Sequence, residues 1–166
     1  TVEKAAIVCR VSTSWVRFGT FEYYAHQGMF KELEALADYV IDENFPHIKG
    51  KDNRYTLLFN DVMIITARLM AQWMSVGFNH GVMNTDNTAI SGETIDYGPC
   101  AFMEDYQSDQ VFSSVDMYGR YAYNQQAKMA QWNLSRLANC LIPLIDSNTD
   151  KAIELLNQQL VQFMDS

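Results

Sequence analysis

Apolar positions recur along this chain at changing periods, and each change marks an element. Residues 5–11, Ala-Ala-Ile-Val-Cys-Arg-Val, form a continuous apolar, partly β-branched run, the pattern of a buried strand. The polar stretch Ser12 to Gly19 and the following Thr20 to Tyr24 carry no assigned period. Beyond Gly28, Leu33, Leu36, Ala37, Val40 and Ile41 line one side of a helix that runs to about residue 44. The turn-rich run Pro46 to Asn53 ends it. The strongest helix covers about Tyr55 to Met74, where Leu58, Val62, Ile65, Leu69 and Trp73 follow helical steps. Asn53 is placed to cap it, and the many apolar residues between predict burial on most sides. A further helix, Tyr121 to Ile145, has Ala130, Leu134, Leu137, Leu141 and Leu144 as its stripe, and Pro143 is expected to kink or shorten its last turn. A last helix, Asp150 to Met164, turns Ile153, Leu156, Leu160 and Phe163 inward, with Ser147 or Thr149 as cap.

Residues 77–99 break this helical rhythm. Gly77, Gly81, Gly92 and Gly98, half of the eight glycines, punctuate a stretch rich in Asn, Asp and Thr. It reads as loop, short strand Thr88–Ile90, turn Ser91–Glu93, short strand Thr94–Asp96, loop. The fold class is therefore α+β, predominantly helical, with a short hairpin.

Composition narrows the function classes. At 166 residues one domain, 1–166, is expected. Hydrophobic residues make up 48% and charged residues 19%, which excludes a disordered acidic tail. Twelve Lys and Arg against 20 Asp and Glu leave a net charge of −8, which argues against a nucleic-acid surface. Phosphate chemistry must then rest on a few placed cations or on metal. Cys9, Cys100 and Cys140 contain no C-x-x-C and read as buried thiols in a reducing compartment. No window of 18 apolar residues predicts a membrane span, and no signal peptide is evident. The chain starts on Thr1 rather than Met, as expected of a processed product or an excised piece.

The chemistry concentrates in Gly77-Phe-Asn-His80-Gly-Val-Met-Asn84-Thr85-Asp86-Asn87, followed by Asp96-Tyr97-Gly98-Pro99. Asn87 and Asp96 are hard oxygen donors at two loop ends, a set that suits Mg²⁺ completed by water and phosphate oxygens. Asp86 is placed to accept a proton from an attacking hydroxyl. Protein kinases carry H-R-D-x-x-x-x-N and then D-F-G, with the Asn and second Asp on Mg²⁺. His80 and Asn87 keep that spacing, and Asp96-Tyr97-Gly98 stands for D-F-G. Val82, however, occupies the position of the kinase catalytic Asp, so by kinase rules this is a pseudokinase.

His-Gly-Val-Met-Asn-Thr-Asp-Asn with Thr-Ile-Asp-Tyr-Gly-Pro resembles the selenoprotein O family of protein adenylyltransferases. Arg10 to Glu22 is similar to that family's R-x(6)-R-F-G-x-F-E stretch. Gly119-Arg120-Tyr121 and Trp132-Asn-Leu-Ser-Arg136-Leu-Ala resemble its later segments, so the likeness covers roughly residues 5–145. The resemblance implies part of a protein-kinase-like large lobe, with an upstream small lobe and a downstream tail outside these 166 residues. It implies transfer of AMP from ATP to Ser, Thr or Tyr hydroxyls of target proteins, with Mg²⁺ or Mn²⁺. It assigns Asn87 and Asp96 to the metal, Asp86 to general base, and Arg10 and Arg17 to the phosphates of an inverted nucleotide.

Other readings stand beside this one. A conventional kinase is disfavoured by Val82. A nucleotide-binding module without turnover gains weight because no glycine-rich phosphate loop is present and none of the six lysines lies on a convincing strand before the loop. The isolated piece is expected to bind ATP weakly and to transfer nothing. His80 reads as an architectural loop histidine, Asn84 and Thr85 as turn formers, and Tyr97 as packing. Cys100 reads as a buried apolar residue. Glu104, Asp105 and Asp109 read as solvated, and Tyr121, Tyr123 and Trp132 as core. Arg120 and Arg136 are candidate ion-pair partners. A bacterial cytoplasm and a mitochondrial matrix both suit the composition.

Overall fold

A computed structural model describes residues 6–7 and 9–163. Among them are five α-helices, α1 (Phe18–His26), α2 (Phe30–Asn44), α3 (Arg54–Ser75), α4 (Gln126–Ile145) and α5 (Thr149–Phe163). Two short strands, β1 (Phe78–Asn79) and β2 (Ala101–Phe102), pair antiparallel with Phe78 opposite Phe102 and Asn79 opposite Ala101. The molecule is thus mostly helical with one small antiparallel sheet.

The long α3 is the spine. Its Leu58, Phe59, Val62 and Met70 are buried at helical spacing, with α4 and α5 packed against it. On α4, Leu134, Leu137 and Leu141 are fully enclosed. Each such side chain contributes about 1.5–3 kcal/mol by leaving water. Pro143 lies inside α4 without ending it. The ring removes one backbone donor in the last turn, on a face open to solvent, so the helix continues to Ile145. Asn53 stands at the N-terminus of α3 without a side-chain capping bond. Neither Ser147 nor Thr149 caps α5; Asn148 does, its Oδ1 accepting from Lys151 N at 3.2 Å.

Three expectations change here. Residues 18–26 form a helix that the sequence pattern did not reveal, since Gly19, Thr20 and four aromatic rings are weak helix formers. Tertiary packing decides it: Phe18 and Phe21 are 0% exposed, and Tyr24 and Ala25 extend the same stripe. The strand expected over 5–11 is not formed by its described residues. Ile7 and Val11 are 100% and 94% exposed, and no described segment offers them a sheet edge; Ala5 and Val8 lie outside the described residues. The hairpin of Thr88–Ile90 with Thr94–Asp96 is also replaced. Residues 88–90 are extended, but they lie against residues 16–18 instead, and β1 with β2 closes the base of the loop between them.

Smaller corrections follow from exposure. Trp132 is 43% exposed and Ile153 38%, so neither is core. Cys9 is exposed, Cys100 half-buried and Cys140 buried. Tyr123 is buried and Glu104, Asp105 and Asp109 are exposed, as their patterns predict. No helix of the described residues is long and apolar enough to cross a membrane.

Candidate nucleotide and metal site

The loop between β1 and β2 carries the candidate chemistry, and three elements fix its shape. From α3, the Trp73 indole donates to Thr94 Oγ1 at 2.9 Å and stacks on His80 at 5.3 Å between ring centroids. His80 is fully buried, and its Nε2 donates to the Ile95 carbonyl at 2.7 Å while Val82 N donates to its Nδ1 at 3.4 Å. A carbonyl only accepts, so this is the neutral Nε2–H tautomer. Burial lowers the imidazole's pKa, which agrees with a ring that stays neutral. His80 is therefore architectural: it holds the backbone immediately before Asp96.

From α4, the Asn133 amide donates to the Met83 carbonyl at 3.1 Å and to Thr88 Oγ1 at 2.9 Å. Three residues on, Arg136 Nε donates to Glu22 of α1 at 2.9 Å, and the Thr85 hydroxyl donates to the other oxygen of the same carboxylate. Burial raises the Glu22 pKa, but the Thr85 and Arg136 donors outweigh it and the net direction is downward. The carboxylate thus ties α1, α4 and the loop together. Arg136 is the ion-pair partner expected of it. Arg120 instead lies 4.9 Å over the Trp132 ring.

The loop's own residues then take defined places. Thr85–Asn87 form a 3₁₀ turn, with Asn84 Oδ1 accepting from Asn87 N at 2.9 Å, the turn-forming role expected of Asn84. Asp86 projects to solvent from this turn, beside Gly19 of α1. Asn87 Nδ2 donates to the Val82 carbonyl at 3.0 Å, which leaves its Oδ1 as the candidate ligand atom. Asp96 has a left-handed backbone, φ 56°, a conformation that aspartate tolerates.

The two arginines reach this loop on an extended arm. Residues 16–18 run antiparallel to residues 88–90. Phe18 N donates to Thr88 O at 3.0 Å, Arg17 pairs with Ala89, and Ile90 N donates to Val16 O at 2.9 Å. Further out, Thr13 meets Glu93, and the Arg10 guanidinium lies 4.9 Å over the Tyr97 ring. Tyr97 is therefore more than packing. The Arg17 side chain reaches past this pairing to Asp96, 3.2 Å from its Oδ2 and 3.4 Å from its Oδ1. Arg10 and Arg17, seven apart in sequence, thus converge on one short segment, 96–97.

Asn87 and Asp96 carry oxygen donors of the kind a divalent cation takes. Asp96 Oδ2 is shielded from solvent and accepts no hydrogen bond, Arg17 being near it in charge but not in bonding geometry. Such an oxygen is costly unless a cation completes it. Among the described residues no three His, Cys, Asp or Glu gather into a ligand cluster, so a cation here would draw on Asn87, Asp96 and oxygens of its substrate. Sequence reasoning missed Glu22, Glu93 and Asn133. Glu22 and Asn133 stood inside the quoted motifs, but their partners lie on other elements, at separations of 63 and 50 residues.

A family model described as "Protein adenylyltransferase SelO" matches residues 1–166, the whole chain. The chain belongs to the SelO family. Among its relatives, the "Protein nucleotidyltransferase YdiU" of Maridesulfovibrio salexigens is 55% identical over 147 residues, 89% of this chain and 30% of the relative. That of Lachnoclostridium phytofermentans is 53% identical over 163 residues, 98% of this chain and 34% of the relative. That of Bacillus thuringiensis is 50% identical over 158 residues, 95% and 32% respectively. The chain therefore spans about a third of the length of the curated relatives it matches.

Proposed function

We propose that this chain is the central part of a protein adenylyltransferase, one domain made of most of a kinase-like large lobe, which moves AMP from ATP to a protein hydroxyl. SelO membership supports the reaction class, and the "nucleotidyltransferase" name of the relatives agrees with it. The observation that carries the reading is the meeting of Arg17 with Asp96 beside the Asp86–Asn87 turn. Two cations and a metal-type oxygen pair on one side of an acidic chain make a place for a triphosphate.

In this reading Arg10 and Arg17 fork onto phosphate oxygens and hold the α-phosphate toward the acceptor. Asn87 Oδ1 and Asp96 hold Mg²⁺ or Mn²⁺, which when bound neutralises phosphate charge. Asp86, open to solvent, accepts the proton of the incoming Ser, Thr or Tyr hydroxyl. The hydroxyl oxygen bonds to the α-phosphorus, the bond from that phosphorus to the bridging oxygen breaks, and pyrophosphate leaves. Val82, at the kinase base position, has no proton to exchange, which favours this chemistry over a conventional kinase.

Mass spectrometry tests it. The longest open reading frame containing the chain is incubated with ATP, Mg²⁺ and an acceptor protein. A gain of one AMP on the acceptor is expected, and it disappears in Asp86→Asn. A gain of phosphate would make the protein a conventional kinase. ATP binding with no transfer to any acceptor would make it a non-catalytic module.

A further inference from the structure

The arm that carries Arg10 and Arg17 has little of its own to hold it. Residues 9–15 lie in no helix or strand, and Cys9, Arg10, Val11 and Trp15 are all exposed. Backbone pairing with the loop begins at Val16, so it fixes Arg17 but leaves Arg10 at the end of an unpaired lead. Besides the contact of Arg10 itself with the Tyr97 ring, one carboxylate oxygen bridges the gap. Glu93 Oε2 accepts from Thr13 N at 2.9 Å, from Thr13 Oγ1 at 2.9 Å and from the Ser12 hydroxyl. The Ser91 hydroxyl, on Glu93's own turn, donates to it at 3.0 Å. Hydrogen bonds to an ionised acceptor are about twice as strong as neutral ones. The Ser12, Thr13 and Ser91 donors hold the carboxyl below its ordinary range against the opposing effect of burial, so it is charged at neutral pH.

The turn that bears Glu93 is itself anchored. A Cβ on Gly92 would come within 2.9 Å of Ile65, so the turn lies directly on α3. One residue beyond Glu93, Thr94 accepts from Trp73. Glu93 therefore stands on a turn packed against α3 and grips an arm that has no helix or strand of its own.

We propose that Glu93 is a positioning residue: by clasping Ser12 and Thr13 it presents Arg10 to the nucleotide. This rests on the adenylyltransferase reading above. An arm already held in its binding conformation loses less freedom when ATP arrives, so the clasp is expressed in affinity rather than in chemistry. Removing it should weaken ATP binding and leave the reactive groups on the loop in place.

The test uses the longest open reading frame containing the chain, as wild type, Glu93→Ala, Ser12→Ala/Thr13→Val, and the triple variant. Three measurements apply: calorimetric Kd for ATP with Mg²⁺, kcat for AMP transfer, and hydrogen exchange at the Thr13 amide. Glu93→Ala is expected to weaken ATP binding on the order of tenfold, keep kcat within about threefold, and lose protection at Thr13. The Ser12/Thr13 variant should weaken binding alike, and the triple variant should be no worse than Glu93→Ala, since all remove the same clasp. Glu93→Ala that loses Thr13 protection yet binds ATP as wild type does overturns the proposal alone. Wild type that does not bind ATP overturns it together with the reading beneath it. Additive effects in the triple variant also overturn it, because they show separate roles.

Discussion

Gly19 of α1 and Asp86 of the loop stand so close that a Cβ on Gly19 would fall 2.0 Å from the Asp86 Oδ1. The nearest backbone atom of Asp86 would be 3.4 Å away, so the carboxylate, not the loop, would have to yield. Gly19→Ala is thus expected to rotate Asp86 away from its present direction. Stability should change by no more than about 1 kcal/mol, because alanine is the better helix former. AMP transfer should fall on the order of 10²-fold, the cost of a misplaced reacting group. Thermal denaturation and a transfer assay on the same preparations check this. Transfer at the wild-type rate would show that Asp86 does not act from this position.

Asn133 supports the loop from beneath, and its removal should be felt twice. It is 0% exposed and bonds both the Met83 carbonyl and the Thr88 hydroxyl. Asn133→Leu keeps the approximate volume but strands the buried Met83 carbonyl, and leaves the Thr88 hydroxyl only its own bond to the Asn84 carbonyl at 2.9 Å. A loss of about 1–3 kcal/mol is expected from urea titration. The loop between those two anchors holds Asp86 and Asn87, so transfer should fall as well. A variant as stable as wild type would mean that water replaces the amide.

What the sequence showed and what it hid divide along a physical line. The stripes of α2, α3, α4 and α5 were legible because each is a long helix whose apolar period survives in one dimension. Asp86, Asn87 and Asp96 could be singled out in the sequence as candidates because their spacing within one loop is itself the motif. The partner of residues 88–90 was not, because pairing is chosen by three-dimensional proximity: a nearby turn suggested 94–96, while the fold supplies 16–18. Helix α1 was hidden for the same reason. Its residues are poor helix formers, and only the packing of Phe18 and Phe21 makes the helix pay. The convergence of Arg10 and Arg17 on residues 96–97 is likewise made by side-chain contacts across the fold, with Asp96 and with the Tyr97 ring, and not by their spacing.

The cysteines offer a direct check on burial. The Cys140 thiol is pushed up to about 12, chiefly by burial, with the negative charge of Glu22 adding to it. The thiolate is the reactive form, so Cys140 should be inert at pH 8 in the folded protein. Cys9 is exposed and should react. Iodoacetamide labelling followed by peptide mass spectrometry is expected to modify Cys9 within minutes and Cys140 only after denaturant is added. Labelling of native Cys140 at a rate comparable with Cys9 would show that α4 opens locally.

Acid should weaken one defined contact outside the site. Asp38 of α2 accepts from Arg54 Nε at 2.8 Å and from the Tyr55 hydroxyl at 3.1 Å. The Arg54 bond is the main cause that holds the Asp38 carboxyl below its ordinary range, with burial opposing and Tyr55 assisting. A carboxyl whose pKa is lowered by folding stabilises the folded state above its unfolded value, and that contribution fades as pH falls through the folded value. The unfolded value is about 4, so the contribution is complete at pH 7 and declines below about pH 4. Asp38 is 45% exposed, and solvent screening limits the pair to about 0.2–1 kcal/mol. Asp38→Asn should therefore be less stable than wild type by that amount at pH 7, and the gap should narrow steadily in acid. Tyr55 adds no titration of its own near neutrality, because burial and the neighbouring Asp38 push its hydroxyl above the ordinary phenol range. Urea titrations of both proteins at pH 7, 5 and 3 measure the gap. A gap that stays constant over this range would mean that the Asp38 carboxylate is not held by charge, and that packing of α2 on α3 carries the contact instead.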